Sequence, residues 1–262
     1  MPELPEVETL CRQLNAFLPG EEILRIGFFD ARLGKVEGLV GRRVEAVTRR
    51  GKYIQIQMNG GMTVELHLRM SGRLLYLADD ELPPPLFPYR RLAITFSSGT
   101  LFLIDPRRFA TFAVQTEGIA PALPDDPMEG LPVRRLREIA RRRRLPVKSF
   151  LMDQRLIAGI GNIYACEILF AAGIDPRRPA CSLTAAEWRK VAKAAVVILR
   201  RAVACRGTTV SDWRDLFGCS GTNQEHLDVY SRQGAPCRRC GGSIERIVQS
   251  GRGTWLCPIC QK

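Results

Sequence analysis

The chain has 262 residues and is 45% hydrophobic, enough for one large domain or two modest ones with real cores. Its formal net charge of +12 is that of a protein that meets nucleic acid or another anionic surface. No run of about 18 apolar residues occurs, which excludes an ordinary transmembrane helix. The acidic start Met1-Pro2-Glu3, with no apolar stretch behind it, lacks the features of a secretory leader and predicts a cytosolic protein.

In chain order, Leu4, Val7, Leu10, Cys11, Leu14, Phe17 and Leu18 share one helical face, so a helix is expected over 4–18, with Pro5 in its first turn and Pro19-Gly20 ending it. Alternation over Tyr53–Met58 and Met62–Leu68, with Gly60-Gly61 between, predicts a hairpin. Leu92–Phe96 and Leu101–Ile104 around Ser97-Ser98-Gly99 predict a second, and Ala110–Gln115 a further strand. Short strands with frequent turn signals indicate a β-sandwich led by a helix over residues 1–117. Residues 118–133 hold four prolines and no periodicity and read as a linker. The texture then turns helical: Arg134–Arg144, Ser149–Met152, Ile163–Ala172 and Ala185–Ala204, the last with a capping box from Thr184 and Glu187. Residues 218–235 read as a mobile polar loop closing a helical domain of 134–235, and 236–262 as a cysteine module. The fold class is α+β.

Charge divides unevenly. Residues 1–117 carry 15 basic and 14 acidic side chains, whereas 118–262 carry 24 and 13. The C-terminal half is therefore expected to do most of the phosphate holding.

Three constellations bear chemistry. Cys237-x2-Cys240 and Cys257-x2-Cys260, sixteen residues apart, can close four thiolates on one ion. A closed tetrahedral set of this kind suits one structural Zn2+; paired redox motifs are the competing reading. The segment between the pairs can form a hairpin with Arg246, Arg252, Thr254 and Trp255 on a basic, aromatic face. The other five cysteines are scattered and read as inert thiols. Second, Gly159-Ile160-Gly161-Asn162 opens a helix whose free N–H groups suit a phosphate, with Asn162 and Lys148 as additional donors; a plain helical hairpin explains the glycines equally well. Third, removal of Met1 would expose Pro2 as a secondary amine. An α-amino group has a pKa near 8, so about a tenth is neutral at pH 7 and able to form a Schiff base with a sugar carbon. Glu3 beside it can serve as acid and base, although a terminal proline and a helix-start glutamate are commonplace.

Taken together, Pro2-Glu3-Leu4-Pro5-Glu6-Val7-Glu8-Thr9, Arg50-Gly51-Lys52-Tyr53, His67-Leu68-Arg69-Met70-Ser71-Gly72, Asp105-Pro106-Arg107-Arg108-Phe109, Gly159–Ala165 and the cysteine module resemble, in order and over the whole chain, the formamidopyrimidine-DNA glycosylase family of bacterial 8-oxoguanine repair enzymes. The resemblance implies a bifunctional glycosylase and AP lyase that excises oxidised purines from damaged double-stranded DNA. It implies a monomer associated with the nucleoid, and it identifies the helical region as a helix–two-turn–helix domain and the cysteine module as a zinc finger. Pro2 is then the nucleophile, Glu3 the proton shuttle and Glu6 its support. Lys52 binds phosphate beside the lesion and is a proton donor during strand cleavage, and Met70, Arg107 and Phe109 fill the space of the flipped nucleotide. Lys148, Asn162 and Arg252 clamp phosphates, Arg252 also donating a proton in the second elimination. Gly218–Tyr230 departs from the family's lesion-covering loop. Two alternatives are an endonuclease VIII-type enzyme for oxidised pyrimidines, against which Leu4 and the separated Met70, Arg107 and Phe109 set stand, and a catalytically silent lesion-binding protein, against which Pro2, Glu3 and Lys52 stand.

Overall fold

A computed structural model describes residues 1–34, 37–78, 87–115 and 125–262. The first helix, α1 (Leu4–Asn15), begins where expected because Glu3 and Glu6 form a capping box and Pro5 sits in the first turn. It ends at Asn15 rather than 18; Leu18 still reaches the core from the turn that follows.

Eight strands then form two antiparallel sheets. One has the order β1 (Arg25–Phe28), β6 (Arg90–Phe96), β7 (Gly99–Ile104), β5 (Arg73–Ala78); the other β2 (Val44–Arg50), β3 (Tyr53–Met58), β4 (Met62–His67), β8 (Thr111–Gln115). Both expected hairpins are present. Gly60 and Gly61 take φ of 74° and 72° in the β3–β4 turn, a conformation that other residues avoid. The strict alternation of β3 puts Ile54, Ile56 and Met58 inside. Leu74, Leu92, Ile94, Leu101 and Leu103 from the other sheet join them and α1 in one core.

Strands β1, β2 and β5 were not expected from the sequence. Leu74–Leu77 is an unbroken apolar run whose periodicity does not separate strand from helix, and β2 ends in two arginines.

The chain divides into two compact units, Met1–Pro121 with Cys205–Thr222, and Ala122–Ala204 with Asn223–Lys262. The expected helical domain of 134–235 thus cedes 205–222 to the sandwich. Trp213 and Leu216 enter its core, and the Gln13 amide bonds both the Asp215 carboxylate (3.0 Å) and the Leu216 N–H (3.1 Å). Of the expected linker, residues 118–124 lie outside the described residues.

The second unit holds α2 (Val133–Ala140), α3 (Val147–Leu151), α4 (Asn162–Ala172) and α5 (Ala185–Ala204), then the ribbon β9 (Glu245–Gln249) and β10 (Arg252–Leu256). Helix α2 stops before Arg141–Arg144: four adjacent cations repel one another, and Pro146 disfavours helix at Leu145. The box at α5 forms as expected, Thr184 N–H to Glu187 at 2.7 Å and Glu187 N–H to Thr184 Oγ1 at 3.2 Å. The second half of the segment expected to be mobile is tied down instead. The buried Glu167 carboxylate of α4 accepts the backbone N–H groups of Asp228, Val229 and Tyr230 at 2.8, 3.0 and 2.8 Å. Burial raises its pKa, and those three donors counter the rise.

Candidate active site and nucleic-acid interface

In the sandwich unit the chemistry starts at the first turn of α1. Glu3 and Glu6 are both buried, 3% and 2% exposed, beside the half-buried Pro2. Glu6 is fixed from two sides: Oε2 accepts the Glu3 N–H at 2.9 Å and Oε1 the Thr208 N–H at 2.8 Å. The second donor comes from the 205–222 segment, which the sequence reading left out of the site. Gly207 there has φ +83°, and a Cβ on it would stand 2.9 Å from the Glu6 side chain, so only glycine lets this backbone close on the carboxylate. Its sequence signal, Arg206-Gly207-Thr208-Thr209, is no more than a turn.

Lys52 sits buried in the β2–β3 turn. Helix α1 packs on β2 and β3, and the Arg49 guanidinium donates to Glu8 at 2.7 Å, tying the end of β2 before that turn to α1. Opposite Tyr53 in the β4 register stands His67, a residue to which the sequence reading gave no role. Its Nδ1 accepts the Arg69 N–H at 3.0 Å and its ring meets Tyr53 edge-on at 4.5 Å. Burial, with the charges of Arg69 and Lys52, lowers its pKa to about 4, so the ring is neutral at pH 7 and carries its proton on Nε2. The folded pKa lies below the unfolded value of 6.5, so the unfolded chain takes up the proton first and stability is lost as pH falls from 6.5 towards 4. Between pH 7 and 4 the wild type is expected to lose roughly 3 kcal/mol more than His67→Gln. Parallel denaturant titrations of the two proteins that fell together with pH would contradict the assignment.

The three residues expected to fill a vacated base position lie on two turns of the same unit. Met70 and Phe109 are exposed apolar side chains, at 51% and 46%, and the exposed Arg107 guanidinium lies 4.7 Å above the Phe109 ring. Singly exposed apolar residues mean little, but these two sit on turns held rigidly from beneath. The buried Asp105 carboxylate accepts the N–H groups of Arg107, Phe109 and Ala110 (3.1, 2.7 and 2.7 Å) and the Ser71 hydroxyl (2.5 Å). Burial pushes its pKa up, but these donors outweigh burial and hold it below the usual carboxylate value. Asp30, held well below the usual range by Arg108 and Arg91, locks the same turn from the other side, since Arg91 also donates to the Ala110 carbonyl at 2.9 Å. Asp105 thus joins the turn carrying Met70 to the one carrying Arg107 and Phe109.

In the second unit Lys148 and Asn162 converge on β10. Lys148 Nζ donates to the Gly253 carbonyl (3.1 Å) and Thr254 Oγ1 (2.6 Å), and Asn162 Nδ2 to the same carbonyl (3.0 Å). Lys148, expected from the sequence to contact phosphate directly, is only 2% exposed and its ammonium faces the hairpin. Thr254, expected on the outer face, is fully buried for the same reason. Arg252 remains exposed at the head of β10, next to the Ser250-Gly251 turn.

Cys237, Cys240, Cys257 and Cys260 bring their sulfurs within 4.8 Å of one another. The Cys240–Cys257 and Cys237–Cys260 sulfurs stand 3.5 and 3.9 Å apart, around the edge of about 3.8 Å that a tetrahedron with Zn–S bonds of about 2.3 Å requires. Cys237 and Cys257 are buried with Phe170, Val229 and Ile244, and the Tyr230 ring packs tilted against Trp255, centroids 4.3 Å apart. The four thiolates fit one structural zinc ion, in agreement with the sequence expectation.

Three family models match the chain: the formamidopyrimidine-DNA glycosylase N-terminal domain over residues 1–112, its H2TH domain over 123–213, and a zinc finger found in FPG and IleRS over 234–262. Formamidopyrimidine-DNA glycosylase of Moorella thermoacetica is 40% identical over 262 residues, 94% of each chain, and that of Gluconobacter oxydans 40% identical over all of both. Among solved structures, the Lactococcus lactis enzyme bound to DNA with an abasic site superposes with a TM-score of 0.91 at 30% identity, covering 99% of each chain. The same enzyme bound to DNA with an N7-benzyl-Fapy-dG lesion gives 0.90 at 31% over all of both chains. The buried glutamates of the N-terminal unit, its two braced turns and the four-cysteine ribbon stand in a chain that all three models match in order, and that chain belongs to the formamidopyrimidine-DNA glycosylase family.

Proposed function

We propose that this protein excises oxidised purines from duplex DNA and then cleaves the strand at the resulting abasic site, with Pro2 as nucleophile once Met1 is removed. The observation that carries the reading is the pair Glu3 and Glu6 beside Pro2: two buried carboxylates, one of them fixed by two backbone donors. The Pro2 nitrogen attacks C1′, and Glu3 passes a proton to the ring oxygen as the sugar opens. The base leaves, and a Schiff base remains to support elimination of the 3′ phosphate. Glu6 orients the turn. Lys52 meets phosphate near the lesion, and Arg252 meets phosphate and donates a proton in the second elimination. Lys148 and Asn162 act through the hairpin, setting Arg252 in place. Met70, Arg107 and Phe109 occupy the space of the extruded nucleotide, an apolar wedge and a planar cation replacing lost stacking. Zinc serves as a structural ion.

No helix among the described residues is long and apolar enough to cross a membrane. We place the protein as a monomer in the bacterial cytoplasm, on the nucleoid.

The test is borohydride trapping on a duplex with one 8-oxoguanine opposite cytosine. A covalent adduct at Pro2 is expected. An adduct only with oxidised-pyrimidine duplexes would transfer the protein to the endonuclease VIII type, and tight binding without any adduct would leave a silent binding protein.

A further inference from the structure

Among the described residues, three arginines have left-handed backbone: Arg69 (φ 54°), Arg108 (φ 60°) and Arg206 (φ 57°). A side chain there costs free energy that glycine avoids, so each needs a compensation. Two have one in the fold. Arg108 Nε donates to the buried Asp30 at 2.8 Å, and Arg206 lies 3.5 Å from the buried Asp215. Arg69 has none: its guanidinium is exposed and makes no hydrogen bond or ion pair with any described residue.

The turn itself is over-determined. The Arg69 N–H is held by His67 Nδ1, the Gly72 N–H by the Leu68 carbonyl at 3.0 Å, and a Cβ on Gly72 would stand 2.5 Å from that carbonyl oxygen. Position 69 is therefore left-handed whatever its side chain, and glycine would satisfy it without strain. Its surroundings are cationic. Arg69 and Lys52 both bear on the neutral His67, and next in the chain is the exposed Met70.

We infer that Arg69 is an additional DNA-reading residue, whose guanidinium takes an acceptor oxygen of the duplex beside the step that Met70 enters. This rests on the proposed role of Met70. The acceptor is either a backbone phosphate or a base edge, and both suit a planar cation in the same position.

Two variants separate the cation from the strain. Arg69→Gly removes both and is expected to raise the melting temperature of the free protein by a few degrees. It should weaken binding to a lesion duplex about tenfold, as loss of one charge-assisted contact does. Arg69→Ala removes the cation but keeps the left-handed cost, so it should match the affinity loss without the thermal gain. If the acceptor is a phosphate, the log–log salt slope falls by about 1. If it is a base edge, the slope holds and discrimination between opposite bases is lost. Unchanged affinity in both variants overturns the inference, as does a lower melting temperature for Arg69→Gly, which would make the arginine part of the turn's packing. Wild-type trapping on the same duplex is the control. Failure there counts against the enzymatic reading, whereas wild-type turnover with unaltered variants counts against Arg69 alone.

Discussion

Glu3→Gln is expected to cut base excision on an 8-oxoguanine duplex by about 10²–10⁴-fold, the usual worth of a positioned general acid. The substitution keeps the shape of the side chain and a carbonyl oxygen to accept from the helix N-terminus, so α1 and its packing should survive. On the proposed mechanism it removes the proton passed to the opening sugar. Adduct formation on an abasic site made beforehand should suffer much less, because its aldehyde is already available to the Pro2 amine. The measurement is single-turnover excision beside borohydride trapping on the two substrates. Equal losses on both would move Glu3 from proton transfer to general support of the site, and undiminished excision would remove it from the mechanism.

Loss of zinc should have the other large effect. Binding of a structural zinc ion contributes about 10–16 kcal/mol in small modules of this kind. Cys257→Ser removes one of four ligands from a buried cluster and is expected to leave the ribbon unfolded. The damage will not stop there. The Lys148 ammonium has Gly253 and Thr254 as acceptors in the ribbon, so unfolding takes both away and opens its surroundings to water. Arg252 loses its place on the same hairpin. Affinity for a lesion duplex should fall at least about a hundredfold, since several phosphate contacts go together. Metal analysis should find one zinc per wild-type chain and none in the variant. Full zinc content in Cys257→Ser would contradict the four-thiolate site.

The structure also shows why some parts were legible in the sequence and others not. Helices α1, α4 and α5 announce themselves locally, through Pro5 and Glu6, Gly161 and Thr184. The cysteine spacing states the metal site outright, because a knuckle of two cysteines is a short-range object. The Thr208 donor to Glu6, the Ser71 donor to Asp105 and the partners of Lys148 are of another kind. Thr208 lies 202 residues from Glu6, and Thr254 lies 106 from Lys148. Nothing local marks Thr208 or Thr254 as a partner. Lys148 in particular reads as a surface cation, since a lysine is buried only where acceptors meet it, and its acceptors come from the far end of the chain.

By itself, then, the sequence determined the α+β class, the two sandwich hairpins, the zinc ligands, the basic C-terminal half and, through its ordered motifs, the family. Each of these is written in periodicity, spacing or composition, and needs no knowledge of what lies opposite. Only the tertiary structure decided that Cys205–Thr222 returns to the sandwich to hold Glu6, that Asp105 braces the turns of Met70 and of Arg107 and Phe109, that Lys148 faces inward and that Arg69 takes left-handed backbone with a guanidinium no described residue engages. These depend on which backbone groups end up unpaired in a given place and which side chain reaches them, and burial sets that demand only when distant segments have met.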